Sequence, residues 1–164
     1  MLPLNGVVAQ TGPDEESPEA EDERLVIHSQ TLEINNKART VLFTGDVDAR
    51  KSTFTIKCRE MLLYYQDDAE GDADAAEGMN VEKAEATGDV VITRADGGRA
   101  MADKAVYYQA EEKIVLTGNP VVKQGEDFVE GSRIIFFVRE NRSIVEGSDK
   151  ERVRAVIFPD REER

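Results

Sequence analysis

Few side chains in this sequence are of the kinds that do covalent chemistry. None has a partner at a useful spacing. There is one histidine, His28, and one cysteine, Cys58. His28 stands beside Ser29, a pair that suggests acid–base chemistry. It lies within "RLVIHSQTLEI", an edge-strand pattern, and its expected role is polar surface. Cys58 follows Phe54 and Ile56 at alternate positions in "FTIKC", while Thr55 and Lys57 face the other way. That places the thiol among apolar neighbours, as a structural group and not a nucleophile. A single cysteine allows no internal disulfide. Carbohydrate chemistry would need two carboxylates held within strands, yet the acids cluster elsewhere. The run "QDDAEGDADAAEG" lacks the ligand order of an EF-hand loop and reads as a solvated loop. No catalytic residue, no metal ligand and no cofactor is expected.

Charge points the same way. The formal net charge is −13. Residues 1–24 hold seven acids and one base, and residues 66–79 hold six acids and no base, so the remaining chain is almost neutral. Such runs bury too little apolar surface to offset their ordering entropy, and both are expected to be disordered. The basic footprint of a nucleic-acid binder is missing. The local basic sites are Arg50–Lys51, Lys57–Arg59 and Arg94/Arg99, which form no evident clamp for anions. No stretch is long and apolar enough to span a membrane as a helix. Val7 and Ala9 suit the small-residue positions of a signal-peptide cleavage site, so residues 1–9 are read as a possible signal remnant.

The elements that would position any site are strands. Val41, Phe43, Val47 and Ala49 alternate with Leu42 and Asp48 around Gly45. Ala86, Val90 and Ile92 repeat the pattern, as do Ile114, Leu116, Pro120 and Val122. A period of two means strands with one buried and one wet face. "NNKA", "ADGG", "QAEEK", "QGED" and "RENRS" supply the turns.

These strands recur. "VLFTGDV", "AEATGDVV", "IVLTGNPVV" and "SIVEG" place glycines at 45, 88, 118 and 147. The spacings are 43, 30 and 29 residues, and removing the 14-residue acidic run from the first leaves 29. That is the period of a stacked supersecondary unit with one inserted loop. Small residues Cys58, Ala102 and Gly131 recur in register, with Met61, Ala105 and Ile134 three residues later. Three is odd, so a corner or bulge is expected between them. The pairs Tyr64–Tyr65 and Tyr107–Tyr108 should straddle the strand faces, one ring in and one out.

The ordered combination "TGDVVI", "AMADKAVYY", "KIVLTGNPVVKQG" and "VEGSRI" resembles the OstA-like, or LptA-type, periplasmic lipopolysaccharide transport proteins. "LVIHSQTLEINNKARTVLFTGDVDA" resembles that family's first repeat, and the likeness covers about residues 25–158. It implies an all-β fold, an open, twisted β jelly roll built as a solenoid-like stack of antiparallel strands. The organisation expected is an acidic tail at 1–24, the roll at 25–159 with an insertion at 66–79, and a charged tail at 160–164.

The resemblance also implies a non-enzymatic periplasmic carrier in a Gram-negative bacterium. It would shield lipopolysaccharide acyl chains in an apolar groove and pass the lipid toward the outer membrane. The groove face would consist of Val41, Phe43, Val47, Phe54, Ile56, Met61, Leu63, Val90, Ile92, Ile114, Leu116, Val122, Ile134 and Phe136. Periodicity alone allows the same residues to be closed core. Recognition would rest mainly on acyl chains and be weakly salt-dependent. Implied partners are inner- and outer-membrane components of the transport bridge and further copies of the chain. Copies would join head to tail through edge strands 25–34 and 152–158. Alternatives are a membrane-anchored or outer-membrane member of the same machinery, or an assembly scaffold that binds no lipid.

Overall fold

A computed structural model describes residues 24–66 and 80–159. The readings made for residues 1–23, 67–79 and 160–164 lie outside the described residues. The described chain is all-β, and its twelve strands form one antiparallel sheet. They are β1 (Val26–His28), β2 (Thr31–Asn35), β3 (Thr40–Lys51), β4 (Phe54–Gln66), β5 (Asn80–Arg94) and β6 (Arg99–Tyr108). There follow β7 (Lys113–Thr117), β8 (Val121–Gln124), β9 (Asp127–Glu130), β10 (Arg133–Phe137), β11 (Arg142–Glu146) and β12 (Arg154–Val156).

Pairing turns this list into a bent sheet. The long strands β3, β4, β5 and β6 pair in sequence. On one side of a bend they continue through β7, β10 and β11, with β2 at the start. On the other side they continue through β8, β9 and β12, with β1 at the start. Two leaves result, each eight strands wide, sharing four strands across a corner. We call the leaf ending in β11 leaf one and that ending in β12 leaf two. β1/β2, β7/β8, β9/β10 and β11/β12 are each two halves of one strand interrupted at the corner.

The corner explains the repeated glycines. Gly45–Asp46, Gly88–Asp89 and Gly118–Asn119 all have positive φ, between 44° and 89°. Register shifts fall at Thr44/Val47, Lys57/Glu60 and Thr87/Val90. At Gly88 (φ 83°) a Cβ would lie 2.8 Å from Cβ of Arg59, so the glycine provides both the backbone turn and the close approach. Asp or Asn is the L-residue type that best tolerates the left-handed position after it. The odd spacing is resolved as expected: Cys58 with Met61 and Ala102 with Ala105 share the core because the bulge between them resets the face.

Register aligns the core in rows. One row of leaf one reads Leu32, Phe43, Met61, Ala86, Ala105, Leu116, Ile134, Val145. Its counterpart in leaf two reads Ile27, Ala49, Ile56, Ile92, Ala100, Val122, Val129, Ala155. Between them, at the corner, Val47 and Val90 are 2% and 1% exposed. Burying each contributes about 1.5–3 kcal/mol. No buried polar or charged residue occurs among the described residues. The interior is therefore a continuous apolar lining bounded by two leaves.

Candidate functional site

All fourteen residues expected on the groove face belong to this inner lining, but they divide in two. Val41, Phe43, Val47, Met61, Leu63, Val90, Leu116 and Ile134 are buried and belong to the core. Phe54, Ile56, Ile92, Ile114, Val122 and Phe136 are half-buried. The buried group occupies leaf one and the corner. The half-buried group lies in leaf two and in the row of leaf one farthest from the corner. Ala100 and Val129 of leaf two are half-buried as well. The lining is thus closed around the corner, Ala49 of leaf two included, and more open along Phe54, Ile56, Ile92 and Val122 of leaf two and at Ile114 and Phe136 of leaf one.

Opposite the corner is the mouth between the two rims. The inner row at the rim of leaf one is apolar: Val41, Leu63, Ala84, Tyr107, Ile114 and Phe136. The corresponding row of leaf two carries Lys51, Phe54 and Arg94. The guanidinium of Arg94 lies 5.9 Å from the ring centre of Phe136. That contact joins the two leaves at the mouth. Arg94 also pairs with Asp96 at 3.0 Å. The tyrosine pairs straddle the sheet as expected. Tyr65 packs on the core and Tyr107 lies in the inner row, where burial pushes its phenol above the ordinary value. Tyr64 and Tyr108 face outward against Lys83.

The outer row at the rim of leaf one alternates rings and cations: Tyr64, Lys83, Tyr108, Lys113, Phe137, Arg142. Each cation lies over a ring, Lys83 at 4.9 Å from Tyr64, Lys113 at 5.2 Å from Tyr108 and Arg142 at 4.4 Å from Phe137. Each is also neutralised by a carboxylate: Lys83 by Glu85, Lys113 by Glu111, Arg142 by Glu140. The hydrogen bond to Glu85 raises the Lys83 ammonium above its ordinary value. Beside this row lies a cavity of about 340 Å³ against Tyr64, Glu82, Lys83 and Tyr108. A second, of about 410 Å³, lies over the corner against Asp46, Lys57, Arg59 and Asp89, the last two forming an ion pair.

The outer row at the rim of leaf two differs. It runs Val26, Arg50, Thr55, Thr93, Arg99, Lys123, Phe128, Val156. Arg50 is held by Asp48 at 2.9 Å, which keeps that carboxyl below its usual range. Arg99 and Lys123 face each other across β6 and β8, and neither is in an ion pair among the described residues. The sequence reading noted Arg99 but not Lys123. Only strand register brings them together.

His28 is exposed on the edge, opposite Asp48, and Ser29 donates its hydroxyl hydrogen to the Thr31 carbonyl. Cys58 is buried, and desolvation pushes its thiol up to about 11. Among the described residues no group of three His, Cys, Asp or Glu side chains is placed to hold a metal.

The sheet ends are apolar, and among the described residues their outer sides are unpaired. β1 and β2 pair only with β3, β11 only with β10, and β12 only with β9. Exposed large apolar side chains gather at these ends: Leu25, Leu32 and Ile34 at one, Ile144, Ile157 and Phe158 at the other. The expected edge segments 25–34 and 152–158 both occupy edges. The structure adds β11, the edge of leaf one, alongside β12, the edge of leaf two.

Comparison with known proteins fits this architecture. The family model for the LptA/(LptD N-terminal domain) LPS transport protein matches residues 26–142. The fold is similar to the crystal structure of LptH, the LptA homologous periplasmic component of the lipopolysaccharide transport device from Pseudomonas aeruginosa. The TM-score is 0.69 at 14% identity, covering 87% of this chain and 100% of that one. No curated protein sequence matches. The bent, two-leaved sheet and the matched span together show that the chain belongs to the LptA/LptD N-terminal-domain family of lipopolysaccharide transport proteins.

Proposed function

We propose that the chain is a non-enzymatic, periplasmic carrier that holds the acyl chains of lipopolysaccharide between its two leaves and passes the lipid along a bridge toward the outer membrane. The observation that carries this reading is the lining of leaf two. There, Phe54, Ile56, Ile92 and Val122 are apolar, inward-facing and half-buried. Each methylene transferred to such a surface contributes up to about 0.8 kcal/mol. Non-directional burial holds a chain firmly and still lets it slide.

The edges support the bridging part of the proposal. Each leaf has eight strands that alternate in direction. An even number means that β11 of one copy meets β2 of the next antiparallel, and β12 meets β1 likewise. Both leaves therefore continue across the same junction, with Val145 and Leu32 on the inner face of leaf one and Ala155 and Ile27 on that of leaf two. The family relationship and the periplasmic origin given for LptH support the location.

The test is incubation with lipopolysaccharide followed by native mass spectrometry. A carrier retains lipid at a defined stoichiometry, and an Ile92→Ser, Val122→Ser variant retains less. A protein that assembles but emerges free of lipid is a scaffold, and the proposal is then wrong. Deletion of residues 152–164 removes the β12 half of the junction and should weaken head-to-tail oligomers in light scattering. Unchanged oligomers would remove the edge-to-edge bridge.

A further inference from the structure

We infer that Arg99 and Lys123 form a site for a phosphate-bearing lipid head group, at the lip of leaf two. The inference rests on the carrier reading above and adds to it how the polar end of the lipid is held.

The first observation is a pair of like charges with no carboxylate partner among the described residues. Arg99 and Lys123 are direct cross-strand partners on one face. Like charges in that position destabilise a sheet. The carboxylates of the neighbouring turns are engaged elsewhere. Asp96 pairs with Arg94, and Asp127 accepts the Phe158 backbone N–H at 2.9 Å, while Glu126 also has a partner. Thr93, the next residue in the same row, adds a hydroxyl. A guanidinium and an ammonium side by side beside a hydroxyl suit a phosphate, which accepts from all three and carries the charge to separate the two cations.

The second observation is position. Ala100 and Val122 are the adjacent residues on the same two strands, and both turn inward onto the open part of the lining. Arg99 directly follows the rim turn that ends at Gly98, and Arg94, on the other side of that turn, marks the mouth against Phe136. Acyl chains lying along Ile92 and Val122 would leave their head group at this lip. The outer rim row of leaf one offers no equivalent, because its cations already have carboxylates. Chain burial would supply most of the affinity, and the lip would set the orientation.

Titration with two lipids of identical chains, one bisphosphorylated and one dephosphorylated, tests this on the full chain. The wild type should prefer the phosphorylated lipid by roughly tenfold, the scale of one charge-assisted contact. That preference should shrink as salt rises, while binding of the dephosphorylated lipid should not. The Arg99→Gln, Lys123→Gln variant should bind both lipids equally. Its melting temperature should not fall, because a repulsion has been removed. A variant that keeps the preference overturns the site. A wild type that binds both lipids equally overturns it too, while one that binds neither overturns the carrier reading instead. If inorganic pyrophosphate alone stabilises the wild type as much as the phosphorylated lipid does, the site takes free anions, and the assignment to a lipid head group fails.

Discussion

Leaf one and leaf two share four strands and a corner, yet they are finished differently. Leaf one packs its inner row to closure around Phe43, Met61, Leu116 and Ile134, and its outer rim pairs every cation with an acid. Leaf two buries Ala49 but lines the rest of its inner face with half-buried Ile56, Ile92, Ala100 and Val122, and leaves Arg99 opposite Lys123. One leaf therefore carries stability and the other accessibility. A continuous sheet can do both because the bend lets the shared strands serve opposite ends of that division.

The sharpest way to break this comparison is to truncate matched residues. Phe43→Ala in leaf one should cost about 3–5 kcal/mol, and Ile92→Ala in leaf two about 2 kcal/mol or less, measured by urea denaturation. Equal losses would mean that the leaves are equally packed. At the corner, Gly88→Ala meets both an unfavourable φ and the Arg59 side chain, and should cost about 2–3 kcal/mol. Gly97→Ala, at the rim of leaf two, has a positive φ but open space around it. It should cost about 1 kcal/mol. Ile34→Lys on the exposed edge should change stability by less than about 0.5 kcal/mol while weakening self-association in light scattering.

A pH-dependent effect concerns the thiol of Cys58. The folded chain holds this proton up to about 11, against an ordinary value of 9.0. The unfolded chain releases it first. The contribution to stability is therefore complete below pH 9 and declines as pH rises toward 11. Alkylation by iodoacetamide at pH 8 should be slow in the native protein and fast in urea. Rapid native labelling would show that the corner opens.

Much of this division was legible in residue order. The alternation at Val41, Phe43 and Val47 identified the inner face. The odd spacing from Cys58 to Met61 announced a corner, because two small-and-apolar positions three apart cannot share a face on a straight strand. What was hidden depends on pairing beyond a single strand. Pro120 read as one more position of the alternation and Gly131 as a small residue at an expected corner, yet at both the strand is interrupted and leaf two departs from leaf one. The Arg99–Lys123 pair is invisible without register. The split of the fourteen lining residues into closed and open groups is set by the spread of the leaves, which no local period encodes. The readings for the two acidic runs and the charged C-terminal tail lie outside the described residues, apart from Arg24 and Gln66.

The glycines that began as punctuation fall on every second bent strand: β3, β5, the β7/β8 pair and the end of β11. One repeat is thus a pair of strands, never one. Adding or losing a whole repeat leaves the first and last strands of each leaf pointing as before, so the ends stay compatible. Under the proposed edge-to-edge bridge, growth is quantised: whole hairpins could be added or lost, and a single-strand step would present mismatched ends.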